Sequence, residues 1–260
     1  MFSIVKFVTG GILCILWFAV IHVLKLFRMY LVLMEQKTGF GRFVFAYCRT
    51  TLANLIIPFK IGEIYRMIVF SKITGSAGIG AAGVIVDRFF DTMALVLILL
   101  PLHVLNPSKI SAVSVFLAVF VAVTIFVYMI FPSAYSNLNK YIIMNRDSKN
   151  SMTVLKWLEV LNSGYEYIRR LVRGKYALIL LMSFGAWVLE GGLLYIIAWM
   201  FGIDYDAGVF SDYITSILST SYSELQAKYT LFSIVLMAVF TLVSGVTVLF
   251  SVKGRKTGNR

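Results

Sequence analysis

Glu63 and Arg66 stand three residues apart, and so do Arg88 and Asp91, within stretches that are otherwise apolar. On a helix that spacing puts each pair on one face, where opposite charges neutralise each other. Neutralisation matters here because a single charge near the bilayer centre costs about 2.5–3.5 kcal/mol on insertion scales. Pro58 and Gly62 interrupt the helix around Lys60, close to Asn54, and free backbone groups to meet an ion or a headgroup. Glu190, three residues after Trp187 in a later apolar run, has no charged neighbour in sequence, and an intramembrane carboxylate is a functional candidate by default. The chemistry on offer is the binding of a charged group.

Other motifs add little. His22 and His103 are isolated, without metal-ligand spacing, and Cys14 and Cys48 lie in apolar segments that suggest no disulfide framework. Asp204, Asp206 and Asp212 form an acidic cluster with no base beside it. No catalytic residue, cofactor or metal is therefore expected. Gly78-Ile-Gly80-Ala-Ala-Gly83 spells G-x-G-x-x-G, but a dinucleotide site needs a preceding strand, and the neighbours here are membrane segments. Small residues four apart, Ala77/Ala81 and Gly78/Ala82, predict a close helix crossing instead.

The elements that must position these side chains follow from composition. Of 260 residues, 60% are hydrophobic and 14% charged, against about 45–50% and about 25% in soluble domains. With long apolar runs and no regular alternation, the expected fold is an all-α membrane helix bundle forming one domain over residues 1–260. Five spans are expected, at about 4–26, 84–105, 110–131, 176–201 and 229–251. A net charge of +12 is explained by basic cytoplasmic loops and not by nucleic acid, since no basic soluble module accompanies it.

Orientation rests on those loops. Residues 133–175 carry Lys140, Arg146, Lys149, Lys156, Arg169, Arg170, Arg173 and Lys175, whereas 202–228 is acidic. The basic connection and the C-terminus are expected in the cytoplasm and the N-terminus outside. Parity then places both ends of 25–83 in the cytoplasm, with Lys25 and Arg28 counted among its loop cations. The 17 residues from 43 to 59 are too short and too polar for an ordinary span, so a re-entrant hairpin is expected over about 43–83. Residues 152–173 place Val154, Trp157, Leu158, Leu161, Tyr165, Ile168 and Val172 on one face. That pattern predicts a cytoplasmic amphipathic helix, lying on anionic headgroups or packed beneath the bundle.

The run Asn54-x-x-x-Pro58-x-Lys60-x-Gly62-Glu63-x-x-Arg66, then Asp87-Arg88-x-x-Asp91, resembles the lysylphosphatidylglycerol synthase transmembrane-domain family of flippase-like membrane proteins. The resemblance covers about residues 10–202 and includes a Trp/Glu pair matching Trp187 and Glu190. Lys60 stands where an arginine is usual and Asp87 where a glutamate is. The family's glycine-rich motif after residue 202 and its soluble aminoacyl-transferring domain have no counterpart, so the chain resembles a member shortened at both ends. The resemblance implies a plasma-membrane protein that binds or translocates a phospholipid or polyprenyl-linked headgroup. Asn54, Pro58, Lys60, Gly62, Glu63, Arg66, Arg88, Asp91, Trp187 and Glu190 are the implied binding residues. Membrane lipids, and other envelope-biosynthesis membrane proteins, are the expected partners. The competing readings are a non-catalytic partner in an envelope or polysaccharide assembly, and a membrane-embedded transferase acting on lipid-linked sugars.

Overall fold

A computed structural model describes residues 2–36, 38–57, 61–105, 112–144, 149–218 and 224–257. Pro58 and Lys60 lie outside these residues. The described elements are all helical: α1 (Phe2–Leu33, continued by a 3-10 turn at Met34–Gln36), α2 (Phe40–Ile56), α3 (Ile61–Thr74), α4 (Ala77–Leu105), α5 (Ala112–Met144), α6 (Lys149–Val172), α7 (Tyr176–Phe201), α8 (Ala207–Leu218) and α9 (Glu224–Thr257). Four described helices are long and apolar enough to cross a membrane, at Ile4–Gln36, Ser114–Met144, Tyr176–Phe201 and Glu224–Phe250. α4 has the length, but its first half carries Asp87, Arg88 and Asp91. Ile12, Leu16, Phe126, Met129, Leu181 and Leu242 are exposed on the outside of α1, α5, α7 and α9. A surface this apolar is stable against lipid chains and not against water. The protein is an all-α integral membrane bundle.

α1 and α7 pack most extensively, running antiparallel: Cys14 lies beside Met200, and the Trp17 indole donates to the Leu189 carbonyl at 2.7 Å. α4 packs against α1, α3, α5 and α7, and α2 lies between α3 and α9. Aromatic contacts fix how the α2–α3 hairpin enters. Phe40 and Phe43 meet Tyr30 near the end of α1, and Phe43 meets Phe70 of α3. One helical turn further, Tyr47 reaches His22 at 3.1 Å. Both open ends of the hairpin therefore sit by the C-terminal end of α1.

Two glycines allow this packing. A Cβ on Gly80 would overlap the backbone of Ser71, so α3 and α4 cross at that residue. The close approach predicted at Gly78 is thus displaced by two residues, because Gly78 faces open space. A Cβ on Gly62 would come within 2.5 Å of the Asn54 Cα, which makes Gly62 the point where α3 folds back onto α2.

Helix ends differ from the sequence expectation in a consequential way. α1 does not stop at residue 26; it continues through Leu33 and takes Lys25 and Arg28 with it as helix side chains. α5 continues to Met144, so the first part of the basic connection is helix. α6 matches the predicted amphipathic helix, and its apolar face divides. Tyr165 stacks on Phe131, and Ile168 and Val172 pack on the core, whereas Trp157 is 67% exposed and Val154 and Leu161 are exposed with it.

Candidate functional site

The inward face of α1 presents His22, Lys25 and Arg28, one helical turn apart. Arg28 is only 1% exposed and lies against α4, where Asp87 and Asp91 share a face at i and i+4. Its Nε donates to Asp87 Oδ1 at 2.7 Å, and its Nη1 donates to Asp91 Oδ1 at 2.6 Å and to Ser183 Oγ at 2.9 Å. Arg88 flanks the same carboxylates from α4, at 3.3 Å from Asp91, 3.6 Å from Asp87 and 3.2 Å from Glu63 of α3. Arg66 approaches Asp87 at 3.6 Å and lies over the rings of Tyr47 and Phe70, a cation–π setting that suits a desolvated guanidinium. Asn54 Nδ2 donates to Glu63 Oε1 at 2.9 Å, tying α2 to the network. Three arginines thus face three carboxylates, a balanced set inside an apolar bundle.

The balance of charge is better than the balance of hydrogen bonds. Arg66 Nε, Arg88 Nε, Glu63 Oε2 and Asp87 Oδ2 are buried without a hydrogen-bond partner among the described residues. Arg88 Nε is close to Glu63 but not aligned with it. The Arg88 side chain is 38% exposed, so this end of the network opens to the surroundings and the Arg28 end is sealed.

A second polar centre surrounds Glu190. Lys25 Nζ meets Oε2 at 2.6 Å, and the hydroxyls of Tyr213 and Tyr229 donate to Oε1 at 3.0 and 2.7 Å. One carboxylate therefore joins α1, α7, α8 and α9. Trp187 connects the two centres: Lys25 lies 5.6 Å from its ring centroid, and its indole N–H donates to the Asp91 carbonyl at 3.2 Å. Just past the C-terminal end of α7, Tyr205 turns back, and its hydroxyl donates to the Gly191 carbonyl at 3.0 Å. Burial pushes that phenol up to about 12, so it stays a donor. No described group of three or more His, Cys, Asp or Glu side chains is placed to hold a metal ion.

With this geometry in view, the comparison with known proteins is direct. The profile of the lysylphosphatidylglycerol synthase TM region matches residues 5–225, most of the chain and nearly all of both centres. The chain belongs to this family. It is also similar to the UPF0104 membrane protein MJ1078 of Methanocaldococcus jannaschii, 25% identical over 64% of this chain and 69% of that protein. No solved structure matches it.

Most of the residues expected from the family motif come together. Asn54, Gly62 and Glu63 meet at the hairpin crossing, and Glu63, Arg66, Arg88 and Asp91 converge around Asp87. Trp187 and Glu190 sit one layer away. From the sequence, the cations nearest to hand for Glu190 are Lys60, Arg66 and Arg88 of the motif block; Lys60 lies outside the described residues, and among those described the ion pair of Glu190 is with Lys25. Sequence reasoning missed Lys25, Arg28, Asp87, Ser183, Tyr213 and Tyr229. Lys25 and Arg28 did carry a signal, three apart on the face of His22, but they were assigned to a loop. Tyr213 and Tyr229 carried none.

Proposed function

We propose that this protein binds a lipid headgroup at the open end of the arginine–carboxylate network and passes the lipid between leaflets, as a flippase-like protein of the plasma membrane. The observation that carries this reading is the pairing of buried, unpartnered N–H groups and carboxylate oxygens at Arg66, Arg88, Glu63 and Asp87. A buried polar group without a partner costs about 1–3 kcal/mol, and a phosphate or an ammonium arriving there relieves that cost. Membrane lipids are then the binding partners, and the chain acts as a single membrane domain. α4 serves as the fifth span, because its three charges are neutralised inside the bundle before they meet hydrocarbon. The α2–α3 hairpin enters and leaves at the cytoplasmic face. The acidic 202–206 segment lies outside with the N-terminus, and α6 and the C-terminus lie in the cytoplasm.

The decisive experiment is lipid movement in proteoliposomes, followed by dithionite reduction of a fluorescent phospholipid. Wild type should accelerate inward and outward exchange, and Arg88→Gln should slow it at least tenfold without loss of folded protein. Equal rates in wild type, Arg88→Gln and empty vesicles exclude the reading. Topology is tested by an impermeant maleimide on cysteines placed at Lys156 and Asp206, which should label from opposite sides.

A further inference from the structure

Beyond Trp187, on the side away from Lys25, the surface of the bundle carries an open groove of about 420 Å³ between α4, α7 and α8. We propose that this groove holds one hydrocarbon chain of the same phospholipid whose headgroup engages the network; the inference rests on that headgroup reading. Its walls are Ile98, Trp187, Gly191, Tyr195, Tyr205 and Phe210. The Trp187 N–H and the Tyr205 hydroxyl are both engaged by backbone carbonyls, so the groove does not offer them to a polar ligand.

Position identifies the occupant. Ile98 lies seven residues after Asp91, on the same face of α4, and Trp187 touches the Asp91 carbonyl directly. Trp187 is thus the link between the groove and the α4 segment that carries the network. From Trp187 to Tyr195 it follows α7 for about 12 Å, at 1.5 Å per residue, away from the cytoplasmic end of that helix. A phospholipid with its headgroup at Arg88 and its chain directed away from the cytoplasmic end of α7 has that polarity. A peptide or a soluble ligand does not, because the mouth at Val188 and Tyr195 opens from the middle of a spanning helix into lipid.

Gly191 keeps the groove open. A Cβ there would stand 3.3 Å from the Phe210 ring and 3.7 Å from the Tyr205 hydroxyl, so a larger side chain would fill the space a chain needs. Phe210 and Tyr205 close the outer end, and both belong to the segment that Glu190 holds through Tyr213.

The test is lipid retention by native mass spectrometry of the purified full chain in detergent, titrated with dioleoyl or dihexanoyl phosphatidylglycerol. Wild type should hold one dioleoyl lipid at least tenfold more tightly than the dihexanoyl lipid. Gly191→Leu should abolish that preference and leave dihexanoyl binding unchanged. Ile98→Phe, which fills the groove from the opposite wall, should do the same and guards against misfolding of the glycine variant. Arg88→Gln should weaken both lipids equally. If the preference survives in both groove variants while Arg88→Gln still weakens binding, the groove proposal falls and the headgroup reading stands. If wild type retains neither lipid, both fall. If Arg88→Gln changes nothing while the groove variants abolish the preference, the headgroup site is wrong and the groove binds a chain alone.

Discussion

Arg28 and Arg88 belong to one network and share both aspartates, yet their settings are opposite. Arg28 is sealed, with short hydrogen bonds of 2.6–2.9 Å to Asp87, Asp91 and Ser183. Arg88 is more than a third exposed, with three longer contacts of 3.2–3.6 Å and an Nε that no described group accepts. A guanidinium is planar and rigid, so its contacts are either aligned as a fork or merely near. The sealed arginine is aligned and holds helices together. The open one has a single long hydrogen bond, to Asp91 at 3.3 Å, and only stands near Glu63 and Asp87, so under the headgroup proposal it is the arginine that exchanges a carboxylate for a phosphate. The two arginines meet the same pair of aspartates, one from α1 and one from α4 itself.

The largest expected effect comes from removing the sealed member. Arg28→Ala leaves Asp87 and Asp91 only the longer contacts of Arg66 and Arg88 in a dry interior, and losing one partner of a buried ion pair typically costs about 3–5 kcal/mol. Thermal unfolding in detergent, followed by size-exclusion recovery, should show severe loss of folded protein. Glu190→Gln should cost less, about 1–3 kcal/mol, because the amide oxygen still accepts from Tyr213 and Tyr229 and only Lys25 loses its counter-charge. Since Lys25 is 20% exposed, part of that loss is recovered by solvation, and the same melting assay should place this variant between wild type and Arg28→Ala. Arg88→Gln should change stability by about 1 kcal/mol or less, since its contacts are long and half wet, while it removes lipid exchange. Lys72→Ala, at an exposed position on α3, should stay within about 0.5 kcal/mol of wild type. If Arg28→Ala and Arg88→Gln prove equally destabilising, the division between sealed and open ends is wrong.

Fold class was legible because only helices and closed β-barrels satisfy their backbone in lipid, and long apolar runs without strand alternation leave the helices. Parity led to a hairpin between α1 and α4, and α2 and α3 do fold back on each other there; that both ends lie on one side of the membrane belongs to the proposed topology. The motif residues were legible as a group, since Glu63/Arg66 and Arg88/Asp91 keep helical spacing. Lys25 and Arg28 were not, for a physical reason. A cation at the end of an apolar run satisfies the positive-inside rule equally well in a loop or on the last turns of a long helix. Only the packing of α1 against α4 and α7 decides which way it turns. Glu190 failed similarly, for its partners lie 165, 23 and 39 residues away in sequence. The glycine crossing was misplaced by two residues because small residues cluster from Ala77 to Gly83, and pattern alone does not say which one faces Ser71.

The order in which the ribosome delivers these partners has its own consequence. Arg28 must wait 63 residues for Asp91, and Lys25 must wait 165 for Glu190. At about 5–20 residues per second, the second wait lasts roughly 8–33 s, during which α1 is already in the membrane with its cations unmatched. Both stand near its C-terminal end, the cytoplasmic end in the proposed topology, where long side chains can reach back to headgroups and stay wet. Nascent α1 is therefore held at the interface by the charges that later lock it inside. The arrival of α4 and then α7 draws those charges inward, so α1, made before both, settles only after them.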